Sequence, residues 1–250
     1  PPPLPQILPL PFFSLPLVSR FKPLKYIETI TELLHTPSTM SLSDSEGSDA
    51  VVVGPGDIRD FNKENILPLP AEDLKKIRDW LQPTPYDLER SEFSRHLESY
   101  LAGTGQWLTS TKTYQQWHKG DVSGLLWIKG IPGSGKSVMA ASIIHELRKE
   151  NVPVLYFFFR QIIDANHQPV AALRDWLCQL LPFSPPLQVK LKKEYLDRRR
   201  SIDSLAASDL WKDIRFALSA FAKAYCVTDA LDEMDKGNDD FLKALVELGQ

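Results

Sequence analysis

Cysteine is scarce. The 250 residues hold two, Cys178 and Cys226, each inside an apolar run (WLCQLL and AYCVTD). Two thiols in apolar surroundings build no disulfide framework, and the reducing interior of a cell is the simplest compartment for them. A basic excess is missing too: the formal net charge is −3, which argues against a general nucleic-acid coat. None of His35, His96, His118, His145 and His167 falls in an H-x-x-x-H or Cys/His ligand spacing, so no zinc site is expected. The G-x-S-x-G elbow and the G-x-G-x-x-G fingerprint are also absent, which argues against a serine hydrolase and an NAD enzyme. The apolar start, PPPLPQILPLPFFSLPLVSRF, is cut repeatedly by proline and has no basic region before it. Each proline removes a backbone donor, so neither a membrane span nor a secretory leader is expected there.

With 43% hydrophobic and 24% charged residues, the chain reads as a soluble globular domain preceded by a tail. Residues 1–62 show no sustained period and pass from proline-rich sequence into SLSDSEGSDA. That composition buries too little apolar surface to offset chain entropy, so disorder is expected. Residues 71–122 read as a helical lead-in. Leu74, Ile77 and Leu81 share one helix face over 71–81. Phe93, Leu97, Tyr100 and Leu101 share another over 91–101, and a shorter helix covers 111–118. From 123 onward, the apolar runs at 124–129, 154–159 and 225–228 alternate with helical periods over 138–150, 170–181, 187–200, 208–222 and 240–248. Strands alternating with helices predict an α/β fold with a parallel sheet.

The eight residues Gly130-Ile131-Pro132-Gly133-Ser134-Gly135-Lys136-Ser137 match G-x-x-x-x-G-K-[ST], and they stand between an apolar strand and an amphipathic helix as that pattern requires. Three glycines let successive N–H groups curl into an anion-binding nest at the positive end of the helix. Lys136 would reach the β- and γ-phosphates of a nucleotide, and Ser137 would ligate Mg²⁺. A partner for this loop lies in AYCVTDALDE, residues 224–233. Asp229 stands directly after a strand, placed to hold Mg²⁺ directly or through water. Asp232 and Glu233 follow, and either could polarise an attacking water, with Glu233 the first choice.

The pairing of LLWIKGIPGSGKS with YCVTDALDE resembles the NACHT-type branch of the STAND P-loop NTPases, as found in fungal NOD-like receptors and nephrocystin-3-like N-terminal regions. GTGQWLTSTKTYQQW (103–117) and FFFR (157–160) are similar to segments of the same proteins. The resemblance implies a P-loop NTPase core over 123–250 that binds ATP or ADP with Mg²⁺, hydrolyses ATP slowly and works as a cytoplasmic signalling switch. It implies phosphate contacts along Gly130–Ser137, Mg²⁺ on Ser137 and Asp229, and an acidic pair in Asp232 and Glu233. It also puts the 103–107 loop near the adenine base. Val138 stands where many relatives carry Thr, which removes one hydroxyl contact to phosphate. Self-association or signalling domains are the expected partners, with neither nucleic acid nor membrane among them. The resemblance further implies that a strand following the acidic one in sequence lies between it and the phosphate-loop strand. The chain ends at Gln250 before that strand, so an empty slot, marginal stability and slow turnover are expected. A nucleotide-holding scaffold and a small-molecule P-loop kinase are the alternative readings. ATP is preferred to GTP because no N-K-x-D motif occurs.

Overall fold

The computed structural model describes residues 17–21, 66–120, 123–163 and 166–249. Its strands are β1 (Leu17–Phe21), β2 (Gly124–Trp127), β3 (Val154–Phe158) and β4 (Ala224–Asp229). The helices are α1 (Ala71–Leu81), α2 (Glu92–Glu98), α3 (Gln106–Thr109), α4 (Lys112–Lys119), α5 (Lys136–Leu147), α6 (Pro169–Leu180), α7 (Pro185–Leu191), α8 (Ala207–Leu218) and α9 (Asp239–Leu248).

Successive side chains of a strand point to opposite faces of the sheet, and β3 and β4 are buried along their whole length. Their alternate residues therefore seed two cores. On one face, Leu155, Phe157, Ala224 and Cys226 meet α1, α6, α8 and α9; on the other, Val154, Tyr156, Phe158, Tyr225 and Val227 meet α2, α4 and α5. The result is a three-layer α/β arrangement. In the first core, the rings of Trp176, Trp211 and Phe241 lie 5.7–5.8 Å apart and tie α6, α8 and α9 together. No helix among the described residues is long and apolar enough to cross a membrane.

The helix over 71–81 forms at the predicted bounds, capped by Gln82 in the left-handed region and stopped by Pro83. The helix predicted over 187–200 does not run through. It begins at Pro185, where Ser184 caps the N–H of Leu187, and widens into a π-helical turn at Lys192–Leu196. That wide turn seats Tyr195, whose ring stacks on Trp80 at 5.1 Å and whose hydroxyl donates to the buried Asp213 at 2.9 Å. Tertiary partners, invisible to helical periodicity, set the break.

Three expectations are corrected in the sheet, whose strand order is β2-β1-β4-β3. The position between the loop-bearing strand β2 and the acidic strand β4 is filled, not empty, and it is filled by Leu17–Phe21 from the stretch expected to be disordered. Composition fails at these five residues because a strand seated between two others is held by their backbone groups, whatever its surrounding sequence can bury. The other residues of 1–62 lie outside those described. β2, β3 and β4 share one direction, as a parallel α/β sheet requires. β1 runs antiparallel to both its neighbours, so the sheet is mixed.

Asp175 in α6 is fully buried and accepts from the N–H and the hydroxyl of Thr84 at 2.7 and 2.6 Å, clamping the chain after α1 onto α6. Burial pushes its carboxyl from 3.8 up to about 7, against the hydrogen bonds from Thr84. The folded state thus holds this proton more tightly than the unfolded chain. Stability from this group is complete below pH 4 and falls as the pH rises towards about 7. Asp175→Asn keeps the shape without the charge. Urea unfolding of wild type and variant between pH 4 and 8 is expected to give a stability difference that moves steadily in the variant's favour. A difference independent of pH would refute this.

Candidate functional site

β2 delivers the chain into the loop at Gly130, and α5 carries it away from Lys136. Gly133 and Gly135 have φ of +77° and +82°, the left-handed region that favours glycine. Gly130 is needed for a different reason: a Cβ there would stand 2.6 Å from Ser134 Oγ, so the loop closes on itself at that point. Lys136 is buried, and its ammonium curls back to donate to the carbonyls of Gly130 and Ile131, both at 2.9 Å. Ile131, Pro132 and Ser134 are exposed at the loop's rim, and Val138 is half-buried in the first turn of α5.

Asp229 ends β4 beside this loop and is 2% exposed. Its carboxylate accepts from the Ser137 hydroxyl and the Ala230 N–H, and burial pushes its pKa up, against those bonds and the charges of Arg160 and Lys136. Oδ1 is left buried with no hydrogen-bond partner. A carboxylate with one buried, unsatisfied oxygen and a serine hydroxyl beside it is a donor set that suits a hard cation. Ala230, buried with φ +53°, then turns the chain sharply into Leu231–Glu233. Asp232 comes out exposed, and Glu233 turns back inward.

Glu233 accepts from the Gln161 N–H at 3.2 Å and lies 3.8 Å from Arg160. Arg160 is the hub of this corner. Its guanidinium donates to Glu92 of α2 at 3.0 Å and to His96 at 3.3 Å. Burial holds the His96 imidazole below its usual range, and the guanidinium presses the same way against the pull of Glu92, so a neutral ring accepts from Arg160. Sequence reasoning named Arg160 only as the end of FFFR and missed Glu92 and His96. Their signal was an acid and a histidine four residues apart on one helix face, which reads as an ordinary surface pair until the fold brings β3 alongside.

The 103–107 loop sits over the first turn of α5. A Cβ on Gly105 would come within 3.1 Å of both Met139 Sδ and Cε, while Trp107 is exposed next to the buried Leu108. A separate cavity of about 130 Å³ lies beside β3, bounded by Tyr86, Phe93 and Tyr156 among others. It includes no residue of the 130–137 loop or the acidic turn.

Asp229→Asn keeps the hydrogen-bonding shape and removes a poorly satisfied buried charge. The variant, melted in the presence of EDTA, is expected to gain about 1–2 kcal/mol, a few degrees in melting temperature. A lower melting temperature would show that the carboxylate is structural.

The fold and site define an α/β protein in which a glycine-rich Lys-Ser loop and a buried carboxylate meet at one end of the sheet. Residues 103–250 match the family described as Nephrocystin 3, N-terminal, and the chain belongs to that family. A 91-residue stretch is 40% identical to the vegetative incompatibility protein HET-E-1 of Podospora anserina. That stretch is 36% of this chain and 7% of the relative, so the chain spans a small part of that protein. No solved structure matches the chain.

Proposed function

We propose that the chain binds ATP with Mg²⁺ and serves as the nucleotide switch of a NOD-like-receptor type signalling protein in the cytoplasm. The observation that carries this reading is the contact of Ser137 with Asp229, whose Oδ1 is buried without a partner behind the Lys136 loop. Gly133 and Gly135 are exposed, with open space where a Cβ would stand, so phosphate oxygens can approach the loop backbone there. Lys136 would exchange the two carbonyls it holds for those oxygens. Ser137 and Asp229 would hold the metal. When bound, Mg²⁺ neutralises charge on the β- and γ-phosphates. Glu233 would accept a proton from a water once Arg160 releases it, and the 103–107 loop with Trp107 would flank the base.

A switch needs a ligand that prefers one state. The γ-phosphate biases conformation only through contacts made in that state, and its nearest levers are the Lys136 and Arg160 pairs. Similarity to a vegetative incompatibility protein supports signalling over small-molecule phosphoryl transfer. Self-association or signalling domains are the partners this reading calls for.

The test is MgATP binding and phosphate release on the full chain, with labelled γ-phosphate and candidate acceptors. Binding with slow release supports the switch. Binding with no release favours a nucleotide-holding scaffold, label on an acceptor favours a kinase, and absence of binding ends the nucleotide reading.

A further inference from the structure

The guanidinium of Arg160 is held more firmly on one side than on the other. Its Nε donates to Glu92 Oε2 at 3.0 Å and one terminal nitrogen donates to His96 Nε2 at 3.3 Å, both acceptors lying on α2. The other terminal nitrogen stops 3.8 Å from Glu233 Oε1, outside hydrogen-bond reach. Two made contacts thus keep Arg160 on α2, and the one towards the acidic turn stays open.

The clamp is built into the fold. Glu92 is 9% exposed, and a carboxylate taken that far out of water is costly unless cations meet it. They do: Oε1 accepts from Arg95 at 2.8 Å and Oε2 from Arg160. The His96 ring lies 5.5 Å from that of Phe158 in β3, and Phe93 seats α2 on the same strand, 5.2 Å from the ring of Tyr156. Ser91 closes the first turn by accepting from the Ser94 N–H. α2 also packs along α5, the helix that leaves the Lys136 loop. Core packing therefore fixes where the two acceptors stand relative to the end of β3.

The consequence for Glu233 is electrostatic. A guanidinium released from α2 would close on a neighbouring carboxylate as a two-pronged fork, the geometry it favours. A carboxylate paired in that way is a weaker base, because an adjacent cation favours its charged form. Clamped, Arg160 leaves Glu233 with the Gln161 N–H as its hydrogen-bond donor, at Oε2.

We propose that Glu92 and His96 are positioning residues that hold Arg160 back from Glu233, so that the lead-in helix α2 governs how available the acidic turn is to a water. The effect on phosphate release rests on the function proposed above; the clamp itself does not.

Glu92→Gln keeps the shape and gives up the charge that holds Arg160. On the full chain with MgATP, this variant should release phosphate about tenfold more slowly, part of the span that a general base supplies, while its Kd stays within about threefold of wild type. His96→Phe keeps a ring against Phe158, removes the acceptor and should act in the same direction. In an Arg160→Ala background neither change should have any further effect, since nothing is left to hold. A loss of equal size in both backgrounds would make the two residues merely structural and overturn the proposal, as would no loss in either.

The pH profile gives a second reading. The charged groups facing His96 are Glu92 and Arg95 from its own helix and Arg160 from the end of β3; burial and the two guanidiniums hold the imidazole below 6.5, against the pull of Glu92. As the pH falls through that lowered value, the ring gains a proton, stops accepting from Arg160 and repels it. The clamp is therefore complete above this range and lost below it. The ratio of wild-type to His96→Phe release should fall towards one as the pH drops, and a ratio flat with pH would refute the clamp. NMR titration of His96 needs no nucleotide: Arg160→Ala should raise its midpoint by about half a pH unit. An unmoved midpoint in a wild type that binds MgATP would sink the clamp alone. A moved midpoint in a wild type that binds none would support the clamp and end the nucleotide reading alone.

Discussion

Replacing Lys136 with alanine is expected to weaken MgATP binding about hundredfold while leaving the fold in place. The ammonium now serves two loop carbonyls, Gly130 O and Ile131 O. Exchanging neutral acceptors for anionic phosphate oxygens turns ordinary hydrogen bonds into charge-assisted ones, worth about 1.5–3 kcal/mol each. Losing two of them, less what water recovers at a half-open loop, comes to about 2.7 kcal/mol, or two decades in Kd. Stability should fall by about 1–2 kcal/mol, because Lys136 is buried and Gly130 O loses its donor, while water can take the place of the donor at the exposed Ile131. Lys136→Arg is expected to be impaired as well, since a guanidinium is too bulky and planar for a loop that at Gly130 has no room even for a Cβ. Calorimetric titration decides: affinity within threefold of wild type would remove Lys136, and with it the loop, from nucleotide binding.

What could be read from the sequence, and what could not, divides along physical lines. Local patterns sufficed for the strand, loop and helix around Gly130–Ser137, because glycine placement and the 3.6-residue period are properties of short segments. Asp229 was legible for the same reason, as an acid directly after an apolar run. Its orphaned Oδ1 was not, since satisfaction of a buried oxygen depends on which groups other elements bring near it. The Glu92–Arg160–Glu233 chain joins α2, the end of β3 and the acidic turn. No spacing within one segment encodes a contact between residues 68 and more positions apart. β1 shows the same limit more sharply. LVSRF carries little signal of its own inside a proline-rich stretch, and its place in the sheet follows from the unpaired edges of β2 and β4, which composition does not describe.

Glu233→Gln tests whether the acidic turn does chemistry. Glutamine has the same shape and still accepts from the Gln161 N–H, but it cannot take a proton and no longer pairs with Arg160. Phosphate release should fall about hundredfold, the span general-base catalysis supplies, while the Kd for MgATP stays within threefold. Stability should barely change. The Arg160–Glu233 separation is 3.8 Å at a partly exposed carboxylate, and such pairs contribute little, whereas Arg160 keeps its 3.0 Å bond to the buried Glu92. Asp232→Asn, at an exposed position, should lower release less than tenfold. The reverse ranking would assign the base to Asp232 and leave Glu233 as a tether for Arg160. Equal, small effects in a wild type that does release phosphate would place the base outside the acidic turn altogether. The discriminating feature is the tether itself: a base held by Arg160 is idle until that pair opens. Arg160→Ala should therefore raise basal release if freeing Glu233 limits the rate, and lower it if Arg160 instead steadies the charge around Asp229.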